Sequence, residues 1–338
     1  MVNHRVLREK QEHKMYYKTA SFADESKGRC FEEEKCTVRT DFQRDRDRIL
    51  HSKAFRRLKH KTQVFISPGK DHFRTRLTHT LEVSQIARTI ARALELNEDL
   101  IEAMSLGHDL GHTPFGHSGE HVLNKLNPRG FRHYEQSLRI VDFLSGRDNK
   151  QGLNLTFEVR DGILNHSGEN QAHTLEGKIL KYADRIAYIN HDIDDATSAG
   201  IIEKSDLPKD LVKILGDTNS KRINTMINSV VNSSYHKDYV TMESEIEKAT
   251  LKLREFMFDR VYLNKKVKSE EDKIEHLITE LFDYYSEDIF RIPEENLKIY
   301  EDVNHTKEDI ICDYIAGMTD TFAVKLYKSI FIPVGWSK

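Results

Sequence analysis

The stretch "RLTHTLEVSQIARTIARALELNEDLIEAMSLGHDLGH", residues 76–112, decides the fold. His79, Val83, Ile86, Ala87, Ile90 and Leu94 recur at helical spacing and define one inward face. Arg76 lies one turn before His79 on the same side. Asn97 can cap a second helix, with Glu98 and Asp99 in its first turn, where acidic groups favour the helix dipole. That helix turns Ile101, Met104 and His108 inward, and Gly107 and Gly111 bracket its expected end. Two consecutive apolar faces, each carrying a histidine, predict a helical protein with polar chemistry inside it.

Working outward, the same pattern continues. In "RDRDRILHSKAFRRLKH", residues 44–60, Ile49, Lys53 and Arg56/Arg57 share one side, and Leu50, Ala54 and Leu58 form an apolar stripe. "SPGKD" at 67–71 reads as a turn. "LTFEVRDGILNHS" reads as a helix that Thr156 can cap. A long helix starts near Leu175. Leu180, Ala183 and Ala187 form its apolar wall, and Asp184, Tyr188 and Asp192 repeat every four residues beside that wall. Further helices are expected over 208–232, 240–263, 270–290 and 307–330. No alternating run is long enough for a sheet, and no repeat is present. The fold expected is all-α, a compact multi-helix bundle without a linker.

Composition agrees. The 338 residues are 38% hydrophobic and 32% charged, with six prolines and sixteen glycines, as in a soluble helical protein. Cys30, Cys36 and Cys312 form neither a disulfide framework nor a zinc-ribbon spacing. No apolar run approaches membrane-spanning length, so a cytoplasmic location without a membrane partner is expected. The net charge of −3 hides an asymmetry: Asp41–Lys61 holds eight Lys/Arg against three Asp/Glu, with Lys70, Arg74 and Arg76 beyond. Residues 269–288 are acidic. A basic cluster near a site suits an anionic substrate, although any single arginine in it is more simply a solvated helix residue.

His79, the pair His108–Asp109, and Asp184 stand on three separate helices. Taken singly, each is a hydrogen-bonded core histidine or a capping carboxylate. Together, two imidazoles and two carboxylates make a ligand set for one divalent cation, accepting Mn, Fe, Co, Ni, Zn or Mg. A helix that frays at Gly107 lets both His108 and Asp109 turn toward one ion. Hydrolysis of a phosphate ester also needs a proton donor or shuttle. His117 lies outside the quartet, and Glu120, one turn on, can orient it.

The order His, His-Asp, Asp resembles the HD metal-phosphohydrolase superfamily. The runs "RDRDRILHSKAFRRLKHKTQVF", "HFRTRLTHTLEVSQIARTIARAL", "SLGHDLGHTPFGHSGE", "FRHYEQSLR", "ADRIAYINHDIDDA" and "CDYIAGMTD" are similar to the bacterial deoxyguanosine triphosphate triphosphohydrolase-like family, from about Thr19 to Ala323. A more distant similarity is to the mammalian SAM-and-HD-domain dNTPase. The resemblance implies an HD fold that cleaves a deoxynucleoside triphosphate to deoxynucleoside and inorganic triphosphate. It implies one divalent metal per site, Mn or Mg first among the candidates, held by His79, His108, Asp109 and Asp184. It makes His117 and Glu120 the catalytic pair and places His112 at the α-phosphate. It adds His133 to the site, puts Arg76 on the polyphosphate and Gln63 beside the 3′-hydroxyl. Tyr188 would pack on the sugar and leave no room for a 2′-hydroxyl, Asp192 would accept from the 3′-hydroxyl, and Arg254, with Tyr262 two turns on, would add a substrate contact. His121 is left as structural and His166 undecided.

Residues 1–43 then read as an N-terminal arm, 44–200 as the metal-binding catalytic core, and 201–338 as a C-terminal helical region packed on the same unit. The resemblance also implies a homo-oligomer, a tetramer or hexamer. Two other functions stay open on the residues. One is another HD phosphohydrolase, a nucleotidase or phosphodiesterase. The other is a non-catalytic sensor of nucleotides or single-stranded DNA, for which the basic cluster offers only Phe42 and Phe55 as stacking aromatics.

Overall fold

Many of the helices start where a capping side chain precedes an apolar stripe. Thr40 with Gln43, and Thr75 with Thr78, make reciprocal capping boxes. Asn97, Thr174, Thr306 and Thr319 each accept from a backbone N–H of the first turn they precede. The computed structural model describes residues 2–63, 73–146, 151–301, 305–333 and 335. The turn expected at 67–71, and Lys70 within it, lie outside the described residues.

Among the described residues there are sixteen α-helices and no strand, the all-α fold the periodicity predicts. They are α1 His4–Met15, α2 Asp41–Leu50, α3 Lys53–Arg57, α4 Arg76–Ala93, α5 Glu98–Gly107, α6 Gly116–Leu126, α7 His133–Arg139 and α8 Phe157–Asn165. Then come α9 Leu175–Ser198, α10 Lys209–Leu215, α11 Asn219–Ser234, α12 Ser244–Met257, α13 Lys265–Glu287, α14 Glu294–Leu297, α15 Lys307–Ala316 and α16 Asp320–Phe331. No helix is long and apolar enough to cross a membrane.

Three expected helices are broken, each for a local reason. The segment 44–60 stops at Leu50 and restarts after Ser52, whose hydroxyl accepts from Phe55 N–H. The break shifts the register: Ile49, Phe55 and Leu58 are buried, while Leu50, expected in the apolar stripe, is 40% exposed. Gly216, at φ +119°, separates α10 from α11. Thr319 caps a new helix within 307–330. Thr156 precedes α8 as expected, but its hydroxyl donates to Asp45 and does not cap its own helix.

The helices share two apolar cores. α4 packs on α5 and α9, α5 on α2 and α8, and Met226, Val230, Leu253 and Met257 of α11 and α12 join the same cluster. A second cluster joins Phe115, Val122 and Leu123, around α6, to Ile274, Ile278 and Leu281 of α13, Ile311 and Ile315 of α15 and Ala323 of α16. The 201–338 stretch thus divides between two cores. The N-terminal arm is pinned by buried polar contacts. Glu12 accepts from Ala23 N–H, Glu176 from Ser21 and Asn97, Glu158 from Ser26 and Lys27, and Arg29 pairs with Asp45.

Candidate metal centre and active site

His79 projects from the buried face of α4, and Asp184 from α9, which packs on α4. α5 ends at Gly107, so His108 and Asp109 lie in the turn that follows and both face inward. His79 Nε2 lies 3.1 Å from Asp184 Oδ1 and 3.8 Å from Asp109 Oδ2. His108 Nε2 lies 3.4 Å from Asp109 Oδ1 and 3.8 Å from Asp184 Oδ1. The four groups expected as ligands therefore converge, and His79, His108 and Asp109 offer ligand atoms within 4.8 Å of one another.

Tautomers follow from the hydrogen bonds. His108 Nδ1 sits 2.6 Å from the Ser105 carbonyl, which can only accept, so Nδ1 carries the proton and Nε2 a lone pair. That Nε2 is buried without a hydrogen-bond partner. Burial works against the Asp109 carboxylate, yet His108, His112 and Arg76 hold its pKa well below the usual value. Asp184 is likewise lowered against burial, chiefly by His79 and His108. Burial disfavours a charged His79, but Asp184 and Asp109 outweigh it and raise its pKa. An orphaned imidazole lone pair beside two ionised carboxylates fits a divalent cation.

Arg76 is 1% exposed and gives Nη1 to Asp109 Oδ2 at 3.0 Å and Nη2 to the Gln63 carbonyl at 3.4 Å. An isolated bridge between Thr62 and Thr75 brings Gln63 there, and the Gln63 Oε1 is buried without a partner. His112 Nε2 approaches Asp109 Oδ1 at 3.1 Å and its ring stacks on His133 at 4.0 Å. Burial, then Arg76 and His133, drive its pKa far down, so His112 stays neutral.

Glu120 differs from expectation in its main partner. It accepts from the His133 backbone N–H at 2.9 Å and approaches His133 Nδ1 at 3.0 Å, whereas His117 Nδ1 stands 3.5 Å away. The reason is helical. His133 opens α7, whose first N–H groups lack intrahelical partners, and Arg132 provides no side-chain cap. Glu120 fills that role. Burial opposes its charge, but His117 and His133 keep its pKa far below the usual carboxylate range. His117 is 77% exposed and lines a cleft of about 370 Å³ with His133, Arg132 and His121. His121, set aside on sequence, shares that cleft.

On the other side, Tyr188 is half-buried and Asp192 is buried. Asp192 accepts from the Tyr262 hydroxyl, its Oδ1 is unpartnered, and burial pushes its pKa up to about 7. Tyr262 ends a five-residue π-type turn that follows α12, so it comes from the segment expected to deliver it. Burial pushes the Tyr188 hydroxyl up to about 12, against the positive charge of exposed Arg254.

Three further residues take part, of which the sequence left His166 undecided and gave Lys61 and Asp320 no role. His166 is 2% exposed, and it offers a ligand atom within 4.8 Å of His108 and Asp184. Its signal was readable: like His108, it follows immediately on an apolar helix. Lys61 is buried, donates to the His112 and Ala316 carbonyls, and has its pKa pushed down to about 7 by burial. Asp320 accepts from Thr62 and from the Phe115 N–H. Both lie in runs that carry the family resemblance, yet neither showed a role of its own, because each acts on backbone far away in the chain.

The basic cluster faces elsewhere. Lys53, Arg56 and Arg57 line a separate cavity of about 780 Å³, which shares no lining residue with the candidate site. Phe42 and Phe55 are buried, so neither can stack on a base there, but Tyr300 and Tyr314 line the cavity.

Comparison with known proteins places the chain in a family. The HD domain model matches residues 76–189, which contain the whole His-Asp cluster, and the phosphohydrolase-associated domain model matches 240–329. A deoxyguanosinetriphosphate triphosphohydrolase-like protein of Caldanaerobacter subterraneus subsp. tengcongensis is 56% identical over 98% of this chain and 97% of its own length. This chain belongs to the deoxyguanosinetriphosphate triphosphohydrolase-like family. Members so described from Clostridium tetani, at 47% identity over 92% of this chain and 91% of theirs, and from Geobacter sulfurreducens, at 38% over 91% and 93%, extend the range. The crystal structure of a Bacteroides thetaiotaomicron phosphohydrolase shares the fold, at TM-score 0.52 and 20% identity, over 84% of this chain and 68% of that one. The chain is thus an HD-domain phosphohydrolase with a His/Asp cluster able to hold a metal ion.

Proposed function

We propose that this chain hydrolyses a deoxynucleoside triphosphate, dGTP or several dNTPs, to deoxynucleoside and inorganic triphosphate. The observation that carries the proposal is the convergence of His79, His108, Asp109 and Asp184, with His112 and Arg76 on Asp109 and the Glu120–His133–His117 group beside them. The quartet would hold one divalent cation, Mn or Mg first, with Fe, Co, Ni and Zn also suited to the donor set. When bound, that ion neutralises phosphoryl charge and lowers the pKa of water.

The chain's own groups supply the rest. Arg76 adds fixed positive charge at the cluster and orients Asp109. His112, neutral with its Nε2–H on Asp109, keeps a free Nδ1 lone pair that accepts from the attacking water at the α-phosphate. His117, exposed in the cleft, exchanges a proton with the leaving 5′-oxygen, and Glu120, 3.5 Å from its Nδ1, orients the ring. His133 ties Glu120 to α7. Gln63 Oε1 and Asp192 Oδ1, both buried and unpartnered, suit the 3′-hydroxyl. The Tyr188 ring closes the space a 2′-hydroxyl would need, and Arg254 adds charge at the outer edge.

A second site concerns an effector. The cavity of about 780 Å³ is lined by Lys53, Arg56 and Arg57 together with Tyr300 and Tyr314, and also by Asp47, Glu295 and Asp313; its basic and aromatic groups suit a nucleotide or single-stranded DNA and support regulation by either. Weaker equilibrium binding of a labelled oligonucleotide to Arg56→Glu is the expected outcome.

The activity is tested by incubating the chain with Mn²⁺ or Mg²⁺ and each dNTP and rNTP, singly and mixed, and separating the products. Triphosphate and deoxynucleoside from at least one dNTP are expected. In His117→Ala, turnover should fall about 10²-fold or more with metal retained. Pyrophosphate with a monophosphate, or orthophosphate alone, would overturn the bond assignment. Binding without turnover of any nucleotide would favour a sensor.

A further inference from the structure

His166 shares a construction with His108. Each stands at the residue where a helix ends, α8 for His166 and α5 for His108. Each turns Nδ1 back to the carbonyl three residues earlier, 2.7 Å to Ile163 for His166 and 2.6 Å to Ser105 for His108. A carbonyl only accepts, so Nδ1 is the protonated nitrogen in both rings, and Nε2 is left as an acceptor. This bond fixes the ring and its tautomer before any ligand arrives, as it does for metal-bound imidazoles in general.

The two rings meet beside Asp184. The rings lie 4.9 Å apart at 81°, and one ligand atom each from His108, His166 and Asp184 falls within 4.8 Å of the other two. His166 is 2% exposed and His108 is fully buried, with its Nε2 unpartnered. Asp184 Oδ1 already meets His79 Nε2 at 3.1 Å, whereas the outer nitrogens of His108 and His166 are both acceptors. Such an arrangement is repulsive unless a cation or a hydrogen-bond donor enters.

We propose that His166 is a further direct ligand of the cation held by His79, His108, Asp109 and Asp184. The inference rests on the reading that this cluster holds a divalent cation, and it extends the ligand set to three imidazoles and two carboxylates. A third nitrogen donor has a chemical consequence. It shifts preference away from Mg²⁺, which favours oxygen ligands, toward Mn²⁺, Fe²⁺, Co²⁺, Ni²⁺ and Zn²⁺.

The test counts nitrogens. The full-length protein, labelled with ¹⁵N-histidine and loaded with Mn²⁺ alone, is examined by pulsed electron–nuclear resonance. Three directly bound imidazole nitrogens are expected in the wild type and two in His166→Ala. Two in the wild type would overturn the proposal while leaving the metal site intact, and this count needs no variant to fold. In parallel, calorimetric titration of His166→Ala, its fold checked by circular dichroism, should show Mn²⁺ binding weakened about tenfold or more, with Mg²⁺ binding changed less. Unchanged Mn²⁺ affinity would overturn the proposal. A wild-type chain that binds no Mn²⁺ would instead remove the metal reading on which the proposal depends.

Discussion

Asp109 is the residue on which most of the site converges. Its two oxygens face His79, His108, His112 and Arg76, so one carboxylate links the metal cluster to the residues beside it. The convergence of His79, His108 and Asp109 was legible in the sequence; the hold of His112 and Arg76 on Asp109 was not. The apolar stripe of α4 placed His79 inward, and the glycine after α5 freed His108 and Asp109. Glu120 was legible as a partner of His117 but not of His133, because the unpaired N-terminus of α7 that attracts it is a tertiary contact. Glu120→Gln should therefore disturb His133 as well as His117. The histidine NMR signals of both residues should shift, and turnover should fall about 10²-fold. A shift confined to His117 would contradict the geometry. Tyr188→Ala should relax sugar discrimination, raising the relative rate on rNTPs about tenfold or more. An unchanged dNTP-to-rNTP ratio would remove Tyr188 from that role.

Between α5 and α6 the chain must pass very close to α7. A Cβ at Gly111 would stand 2.2 Å from the Ser137 backbone nitrogen, and Ser137 Oγ binds both the His108 carbonyl and the Gly111 N–H. Gly111→Ala should destabilise the fold by about 3 kcal/mol, read as a lowered denaturation midpoint. Full retention of stability would mean that this approach is looser than described. Element ends were the least legible feature. Ser52 and Thr319 restart helices that periodicity alone runs together, since a cap and a helix-interior serine look alike until the next turn is placed. The arm was legible only as irregular, because its order comes from distant carboxylates. Glu12 is one of these, and burial pushes its pKa up to about 7. A folded pKa above the unfolded value means stability present at low pH and lost as pH rises through about 7. Relative to Glu12→Gln, the wild type should lose up to about 3 kcal/mol as pH rises from the unfolded value of 4.5 to about 7, and little beyond. A pH-independent difference between the two proteins would contradict a buried, titrating Glu12.

At the scale of the molecule, the second core clamps the first at the site. Asp320 at the start of α16 holds Thr62 and Phe115, Lys61 bridges the His112 and Ala316 carbonyls, and Asp313 of α15 binds Arg139 and Gln136 of α7. Phe115 is held at φ +63°, a conformation bulky residues rarely adopt. The run "CDYIAGMTD" supported the family resemblance, yet its two aspartates act on backbone and side chains that only folding brings near. The arm also exposes Leu7, Met15, Phe31 and Val38, apolar side chains that a second copy could cover. Light scattering should give a tetramer or hexamer of the 39.4 kDa chain, and a monomer at all concentrations would contradict the expected assembly. The central claim is cleavage between the α-phosphorus and the 5′-oxygen. ³¹P NMR of the reaction with a dNTP mixture and Mn²⁺ in ¹⁸O-water tests it most directly. Inorganic triphosphate carrying ¹⁸O on a terminal phosphorus is expected, with the deoxynucleoside unlabelled by mass spectrometry; labelled orthophosphate or pyrophosphate as the first product would contradict it.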